Sequence, residues 1–404
     1  MANAELECIM IIFSKKALTT LTLAVLCLLV AIAACADVNV KDLGAVGDGK
    51  ADDTAAFETA IAKGKEVGQA VAVPKGTYRI TRMLTLSAQE LTGANTPAWG
   101  ADATVLPVIL VEATDGPCVR LTAGGAVHGL QFTYDWAGKD PSPRPPTIEL
   151  AGVGCRVSEV KIYGAWDAII GNGDHNPARS TIEKCFIVDV QHIGVQMTGT
   201  YDVTWISRVE VWSPTSKTFP GKGIGFLFGK NDVLLVSDCF VFRASVAYQF
   251  VDDIPGSKIK GGTWGSLSNC VADFCGTGVE INGKHTVSIT GGSQWTHWGG
   301  LAVKGSGSHL RLTGCELAAN GGPALDVQGG DVLAVSGCQM RREAAAFTAP
   351  AVRITGGQST VITGCVITSS SKGIEVKKGL KGVVLGSNAV RENVKSEEKP
   401  ANSP

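Results

Sequence analysis

The sequence predicts an all-β solenoid in which short strands stack as parallel coils, closed at the N-terminal end by one helix. Three observations predict it: an apolar-to-cysteine step that recurs along the chain, short strands separated by glycine or polar turns, and an amphipathic helical segment ahead of the first repeat. A repeat of roughly two dozen residues in β-branched segments is typical of stacked coils. The 404-residue chain also contains 50 glycines, which suits a fold with many tight turns.

The most regular feature is a cysteine that stands three residues after a β-branched residue or leucine. The pairs are Ile182 with Cys185, Val236 with Cys239, Leu267 with Cys270, Leu312 with Cys315, Val335 with Cys338, and Ile362 with Cys365. A thiol is a small, buriable hydrophobe, so core filling is the favoured interpretation. Disulfides or a metal are the alternative. However, nine cysteines follow position 35, an odd number, and no CxxC pair indicates a metal site.

Each repeat unit alternates apolar and polar positions, as in residues 182–187, and a second short strand follows past a turn, as in residues 194–197 and 278–281. Parallel strands in successive coils lie about 4.8 Å apart around a narrow apolar core. Residues at equivalent positions of the repeat are therefore expected to form ladders along the solenoid.

The segment from residue 40 to residue 80 predicts a cap. Gly47-Asp-Gly49 has the chemistry of a turn, and Asp52 or Asp53 can N-cap a helix from about Thr54 to Glu66. Phe57 and Ile61 would face the first coil, and such a cap covers the open end of a solenoid. Residues 71–73 and 78–80 then start the strands.

The N-terminus has the pattern of a targeting signal. Lys15 and Lys16 precede an apolar run from Ala17 to Ala34, which ends at Cys35 in a sequence similar to a bacterial lipobox. We expect lipidation at Cys35, with ordinary cleavage near residues 31–33 as the alternative. The expected organisation is a signal peptide at 1–35, the cap and first strands at 36–82, parallel coils at 83–391, and a disordered polar tail at 392–404.

The net charge of the chain limits the classes of binding partner that it is expected to have. The formal net charge is -1 and 18% of the residues are charged, so the chain has no basic excess for nucleic acid or an anionic bilayer. A membrane contact is therefore expected only through the lipid anchor. A polysaccharide remains compatible.

The cap segment, with Gly47-Asp-Gly49, Asp52-Asp53 and the strand starts around Pro74-Lys-Gly76, closely resembles the start of the pectate-lyase-like superfamily domain. That resemblance implies a right-handed parallel β-helix and binding, usually cleavage, of acidic or complex polysaccharides outside the cell. Some similar depolymerases are trimers, so a monomer or a homotrimer is expected. The polygalacturonase-type signature is missing: Asp252-Asp253 is a carboxylate pair, but no Gly-His-Gly follows it. A solvated loop is the favoured interpretation there.

In the first half of the series of repeat units, charged residues occupy two ladders. We call the β-branched residue or leucine that opens each repeat unit, such as Ile182, its anchor. The residues two positions after the anchor include Glu159, Lys184, Arg208 and Asp238, whereas later units have glycine there. The residues four positions after the anchor include Lys161 and Glu210. The candidate catalytic residues are Lys161, Lys184, Arg208, Glu210 and Asp238. The alternative for the first ladder is a surface ion-pair series that contributes little to stability.

Aromatic residues accompany these charges six residues after the anchor and in the neighbouring long loops. The candidate substrate-binding residues are Tyr163, Trp166, His175, Trp212, Phe242 and Trp295. Binding and chemistry often lie on loops held by a rigid scaffold, and aromatic rings can stack on sugars. Packing of these rings beneath the loops is an equally weighted alternative. His175 and His297 are expected in loops.

Two chemistries could use these residues. β-Elimination requires a cation or Ca²⁺ to neutralise the uronate carboxylate and a base for the proton at C5; Lys161, Lys184 and Arg208 could divide these roles, with Tyr163 or His192 nearby. The candidate Ca²⁺ ligands are Asp167, Asp174, Asp189 and Asp238. Hydrolysis would instead use two of Glu159, Asp189, Glu210 and Asp238. The expectation is a lyase, with a hydrolase and a non-catalytic glycan-binding protein as alternatives.

Overall fold

The computed structural model describes residues 37–93, 107–136, 141–213, 221–342 and 348–393. The predictions for residues 1–35, for lipidation at Cys35, and for the tail from residue 394 onward lie outside these ranges. Among the residues described, no helix combines the length and apolar character needed to cross a membrane.

The predicted coils are present as three rows of parallel strands. Row one is a sheet of 14 strands within the described residues. It contains Val38–Asn39, Val71–Val73, Glu90–Gly93, Ala126–His128, Arg156–Ser158, Thr181–Glu183, Thr200–Ser207, Asn231–Ser237, Thr263–Ser268, Thr286–Thr290, His309–Thr313, Val332–Ser336, Ser359–Thr363 and Val383–Leu385.

The other 24 described strands form one continuous sheet that bends into rows two and three. Row two contains Asp48–Asp52, Gly76–Ile80, Pro107–Val111, Gln131–Thr133, Lys161–Tyr163, Phe186–Val188, Glu210–Trp212, Phe240–Phe242, Glu316–Ala319, Gln339–Arg342, Val366–Ser369 and Ala389–Arg391. Row three contains Leu84–Leu86, Val119–Leu121, Ile148–Leu150, Asp167–Gly171, Ile193–Met197, Ile224–Phe228, Val246–Val251, Leu325–Val327, Val352–Ile354 and Ile374–Val376. Val271–Asn282 and Ser293–Lys304 run through both rows.

Each central coil follows the same path, as residues 181–197 illustrate. A row-one strand, Thr181–Glu183, is followed by a two-residue turn, and then by the row-two strand Phe186–Val188. A corner at residues 189–192 leads to the row-three strand Ile193–Met197. We use "turn" for the connection between rows one and two and "corner" for that between rows two and three.

The core lies inside the three rows and confirms the structural interpretation of the cysteines. All nine cysteines of the described residues are buried and free of disulfides. Burial raises the pKa of Cys185 to about 12, so its thiol is protonated at neutral pH. The anchors of the repeat, among them Ile182 and Val236, are buried in the same cluster.

The cap also matches its prediction. An α-helix, α1, spans Thr54–Val67 and follows a short 3-10 helix, Val40–Leu43. Asp53 stands at the N-cap position, but its carboxylate accepts hydrogen bonds from the backbone N–H groups of Val46 and Gly47, at 2.6 and 3.2 Å. Asp52 instead accepts from the backbone N–H of Thr54 at 3.1 Å. One carboxylate therefore fixes the turn and the other fixes the start of the helix.

Candidate functional site

Strand pairing places the predicted residues of row two on common ladders. Lys161 pairs with Phe186, which pairs with Glu210 in the next coil. A parallel ladder two residues further along the strands contains Tyr163, Val188, Trp212, Phe242, Asp273 and Trp295. Successive members of a ladder are therefore about one coil spacing, 4.8 Å, apart.

Three other candidates lie in the turn between rows one and two, and all three have the left-handed backbone conformation that this turn requires. Lys184, Arg208 and Asp238 have φ values of 51°, 54° and 54°, in the left-handed region. Later coils have glycine there, including Gly291, Gly314, Gly337 and Gly364, also at positive φ. The series is thus a row of turn residues rather than a strand face.

The charges of this turn series are paired with one another or with their neighbours. Lys184 Nζ lies 2.9 Å from Glu159 Oε1, and Arg208 Nη2 lies 3.1 Å from Glu183 Oε2. Asp238 accepts a hydrogen bond from the amide of Asn269 at 3.4 Å. This arrangement favours the surface ion-pair interpretation, and we do not include Lys184, Arg208 and Asp238 in the proposed site.

Aromatic side chains form a continuous group on row two. The rings of Trp212 and Phe242 lie 4.9 Å apart, and Phe186 meets Trp212 edge-on at 6.1 Å. Trp212 Nε1 donates a 2.7 Å hydrogen bond to Glu210 Oε1, which orients both side chains. All of these residues are half-buried. We call Phe186, Trp212 and Phe242 the platform.

Lys161 and Tyr163 lie at one end of the platform, in adjacent outward positions of the same strand. Lys161 is half-buried, with Nζ 6.0 Å from the Phe186 ring centroid, and desolvation lowers the pKa of its ammonium group. Tyr163 is 45% exposed. A hydrogen bond from its hydroxyl to the Asp189 carboxylate raises the pKa of Tyr163, so the phenol stays protonated.

The adjoining corner contains a histidine held by a carboxylate. Nδ1 of His192 donates to Oδ1 of Asp167 at 2.9 Å, and this bond raises the pKa of His192. The same oxygen accepts from the backbone N–H of Ile193 at 3.1 Å. Trp166 lies beside the imidazole, with ring centroids 5.8 Å apart. We call Lys161, Tyr163, Asp167, Asp189 and His192 the corner cluster.

Stacked backbone connects the two halves of the corner cluster. The N–H of Gly164 donates to the carbonyl of Val188, and that of His192 donates to the carbonyl of Trp166, both at 2.9 Å. The cluster therefore occupies two adjacent coils. Asp167 and His192 are 25 residues apart, the same spacing as the anchors Val157 and Ile182, so the repeat itself contained the signal for this pair.

Trp295 lies at the other end of the row-two ladder, in an open pocket with a cavity volume of about 80 Å³. The pocket is lined by Asp273, Phe274, Trp295, Thr296, His297, Ala318 and Asn320. The prediction of a loop around His297 was wrong, because this residue belongs to the strand Ser293–Lys304. The strand Ser293–Lys304 passes through His297 because it continues from row two into row three without a corner.

His175 lies apart from these groups. It ends a short 3-10 helix, Gly173–His175, that follows the row-three strand Asp167–Gly171. The corner cluster lies at the opposite end of that strand. Asp174 forms an ion pair with Lys258 at 3.3 Å in the same loop region. The structure therefore does not bring His175 together with the row-two candidates.

The four predicted calcium ligands do not converge. Asp167 bonds His192, Asp174 pairs with Lys258, Asp189 accepts from Tyr163, and Asp238 accepts from Asn269. In the part of the chain that the structure describes, no three histidine, cysteine, aspartate or glutamate residues are grouped to hold a metal ion. These carboxylates do not fit a shared Ca²⁺ site, and we derive no step through calcium.

Comparison with known proteins agrees with this architecture. Residues 37–103 match the family described as rhamnogalacturonase A/epimerase, pectate lyase-like. The chain has the right-handed parallel β-helix fold of the pectate-lyase-like proteins. No match in sequence was found among curated proteins.

Solved pectate-lyase-like structures are similar over most of the chain. A DFA-IIIase from Arthrobacter chlorophenolicus A6 in complex with GF2 is 14% identical, with a TM-score of 0.60 over 89% of this chain and 99% of that one. The A-module of a mannuronan C-5 epimerase from Azotobacter vinelandii is 16% identical, with a TM-score of 0.51 over 89% and 95%. A family 28 exopolygalacturonase from Yersinia enterocolitica is 12% identical, with a TM-score of 0.52 over 90% and 79%. At these identities the likeness concerns the fold.

Within the pectate-lyase-like fold, Asp252 and Asp253 have structural partners. Asp252 Oδ1 accepts from the backbone N–H of Lys284 at 2.8 Å, and Asp253 Oδ2 pairs with Lys260 Nζ at 2.5 Å. Asp253 and Lys260 also form an antiparallel bridge that closes their loop. These contacts support the loop interpretation over a polygalacturonase-type dyad.

Proposed function

We propose that this chain is a polysaccharide lyase that cleaves a uronic-acid-containing glycan by β-elimination at the corner cluster. The observation that carries the proposal is the Asp167-bound imidazole of His192, which shares two adjacent coils with Lys161 and Tyr163. The similar solved structures include an epimerase and a polygalacturonase, which supports action on carbohydrates.

The three side chains match the needs of β-elimination. Because Nδ1 of His192 donates to Asp167, Nε2 carries the lone pair and accepts the proton from C5 of the uronate. Lys161 stabilises the negative charge that develops on the substrate carboxylate, and its partial burial strengthens that interaction. Tyr163 donates its proton to the oxygen at C4 as the C4–O bond breaks. The electron pair of the C5–H bond becomes the C4=C5 double bond.

The platform supplies the binding surface beside this chemistry. Phe186, Trp212 and Phe242 are half-buried, so their edges and part of their faces remain available to a sugar chain lying along the solenoid. Glu210, held by the Trp212 indole, adds a hydrogen-bond acceptor for hydroxyl groups. In this proposal Glu210 binds substrate rather than performing the reaction.

Hydrolysis is the second candidate, because the corner cluster also contains two carboxylates, Asp167 and Asp189, on adjacent coils. A hydrolase needs such a pair about 5 Å apart for retention or about 6.5 to 9.5 Å apart for inversion. A glycan-binding protein without activity is the third candidate, since the same fold hosts many functions.

The proposal includes export and, at Cys35, a lipid anchor, because Lys15 and Lys16 precede an apolar run that ends at Cys35. Incorporation of an alkyne-labelled fatty acid into the wild type but not into Cys35→Ala would support the anchor. Labelling of both proteins, or of neither, would exclude lipidation at this cysteine. Sedimentation of the purified protein distinguishes a monomer from a homotrimer.

A panel of uronic-acid polysaccharides tests the reaction class. We expect ultraviolet absorbance from 4,5-unsaturated uronate ends to rise together with reducing ends, with and without added calcium. New reducing ends without the absorbance of unsaturated uronate would contradict β-elimination and favour hydrolysis by Asp167 and Asp189. Binding with neither product would favour the non-catalytic alternative.

A further inference from the structure

The loop that precedes the corner cluster contains an arginine whose charge is not neutralised by another side chain. Arg144 is half-buried, and its guanidinium carbon Cζ lies 4.8 Å from the centroid of the Trp136 ring. Within the ranges that the structure describes, the Arg144 side chain forms no ion pair and no hydrogen bond. A guanidinium that stacks on a ring keeps its N–H donors in the plane of the group, so they remain available to a ligand.

The backbone that carries Arg144 is held rigidly. It lies in Pro143-Arg-Pro-Pro146, where each proline fixes its own φ and confines the residue before it to extended conformations. The carbonyl of Pro146 accepts a hydrogen bond from the N–H of Cys118 at 3.2 Å, and the N–H of Thr147 donates to the carbonyl of Asp167 at 3.0 Å. A ligand would therefore meet a cation whose backbone is already ordered, which lowers the entropic cost of binding.

Trp136 fixes the position of Arg144 next to the corner cluster. Its indole Nε1 donates a 3.0 Å hydrogen bond to the carbonyl oxygen of Gly164, the residue that follows Tyr163. The ring of Tyr134 lies nearly parallel to the indole, with centroids 5.7 Å apart. The guanidinium thus stacks on a ring that two contacts hold in place.

The loop belongs to the coil immediately before the corner cluster. Its flanking strands, Gln131–Thr133 and Ile148–Leu150, pair with the strands Lys161–Tyr163 and Asp167–Gly171. Successive coils are about 4.8 Å apart. Arg144, the corner cluster and the platform therefore follow one another along the solenoid, and a sugar chain lying along its axis would pass all three.

The ligand that fits Arg144 is a carboxylate. A guanidinium can bind a carboxylate through two parallel N–H···O bonds, and partial burial strengthens the attraction because solvent screens it less. Asp167, a carboxylate of the adjacent coil, is engaged by His192. In the proposed function, Lys161 receives the carboxylate of the uronate that is cleaved. Arg144 is therefore available for the carboxylate of another sugar.

We propose that Arg144 binds the carboxylate of a second uronate, which neighbours the one that is cleaved at the corner cluster. This inference rests on the proposed function and narrows its substrate to acidic stretches of a glycan, in which uronic acids lie close together along the chain. Arg144 would select and position the substrate without contacting the reacting atoms.

The test compares Arg144→Met with Arg144→Lys and with a matched control, Arg311→Met. Arg311 is exposed in the row-one strand His309–Thr313 and forms no ion pair with any described residue. Each change is made in full-length His192→Gln, so that the ligand is not consumed. Calorimetric titration uses oligogalacturonates and oligomannuronates, each as the free acid and as the methyl ester, and thermal unfolding is recorded for every variant.

We expect Arg144→Met to bind a free acid about tenfold or more weakly than the His192→Gln parent, because a charge-assisted bidentate contact is lost. Arg144→Lys should lie between the two, and Arg311→Met should match the parent. The methyl esters should bind to Arg144→Met and to the parent alike. Equal losses for acid and ester would show that Arg144 only supports the Trp136 ring, and an unchanged affinity for the acid would overturn the site.

Kinetics separate this inference from the proposed function. With His192 present, Arg144→Met should raise the KM for an oligouronate about tenfold and leave kcat nearly unchanged, whereas His192→Gln should abolish cleavage. Binding of acids that depends on Arg144 but gives no unsaturated product would support the carboxylate site and overturn the lyase. Unsaturated products formed with the same KM by the wild type and Arg144→Met would overturn the Arg144 site alone.

Discussion

Nδ1 of His192 and Oδ1 of Asp167 are joined by a 2.9 Å hydrogen bond that crosses from one coil to the next. The bond fixes the tautomer of the imidazole and directs basicity to Nε2. Asp167 is itself held by the backbone N–H of Ile193 at 3.1 Å. A rigid pair of strands therefore positions the group that we propose as the base.

Replacing Asp167 with asparagine should shift the pH dependence of activity. The Asp167 carboxylate raises the pKa of His192, so its removal lowers that pKa. A base acts in its neutral form, and the acidic limb of the kcat/KM profile should therefore move to lower pH. If the acidic limb of the kcat/KM profile were unchanged in Asp167→Asn, the limb would belong to a group other than His192.

The two lysines Lys161 and Lys184 should differ sharply in importance. Lys161→Met removes a half-buried cation that lies over the Phe186 ring and that we propose to neutralise the substrate carboxylate, so it should lower kcat/KM by about 10²-fold or more. Lys184→Met removes an exposed member of an ion pair with Glu159 and should change stability by less than about 1 kcal/mol and activity by less than about twofold. Steady-state kinetics and denaturant unfolding measure both. Equal losses of activity in Lys161→Met and Lys184→Met would show that Lys184, in the turn series, also belongs to the catalytic site.

The turn series shows what the sequence could and could not predict. The spacing of the repeat correctly predicted the ladders of row two, because apolar periodicity is set by burial. The N-cap carboxylates Asp52 and Asp53 and the apolar residues of the cap predicted a helix from about Thr54 to Glu66, which the structure has at Thr54–Val67. The repeat spacing did not separate strand faces from turn positions, although the glycines at 291, 314, 337 and 364 were a signal for left-handed backbone. The bulge at Phe274 depends on slippage between two long strands, which no local pattern records.

Glycine should be preferred at this turn, which Asp238→Gly and Gly314→Asp test as a reciprocal pair. Both positions are left-handed, and a Cβ at Gly314 would meet nothing within 4 Å. Asp238→Gly should raise the free energy of unfolding by about 1 kcal/mol, and Gly314→Asp should lower it by about the same amount. Denaturant titration checks both values. A loss of stability in Asp238→Gly would show that its contact with Asn269 outweighs the backbone effect.

His285 should make stability depend on pH. Its side chain is fully buried, Nδ1 accepts from the backbone N–H of Thr263 at 3.0 Å, and Nε2 lies 3.3 Å from the carbonyl oxygen of Asn282. Burial lowers the pKa of His285, although the nearby Asp252 carboxylate partly opposes the shift. The unfolded state then binds protons more readily, and the stability present above the unfolded pKa of about 6.5 is lost as pH falls toward the folded pKa.

The comparison of wild type with His285→Gln isolates this contribution, because His192 has a raised pKa and acts in the opposite direction in both proteins. The free energy of unfolding of the wild type should fall more steeply below about pH 6.5 than that of His285→Gln. Parallel curves would assign the acid sensitivity to other groups.

The most direct test of the central claim is the ratio of unsaturated ends to new reducing ends, measured on the most active uronic-acid polysaccharide with the wild type and His192→Gln. β-Elimination at the corner cluster predicts one unsaturated end for every reducing end in the wild type, and neither product from His192→Gln despite retained binding. Reducing ends without unsaturation, or undiminished elimination by His192→Gln, would contradict it.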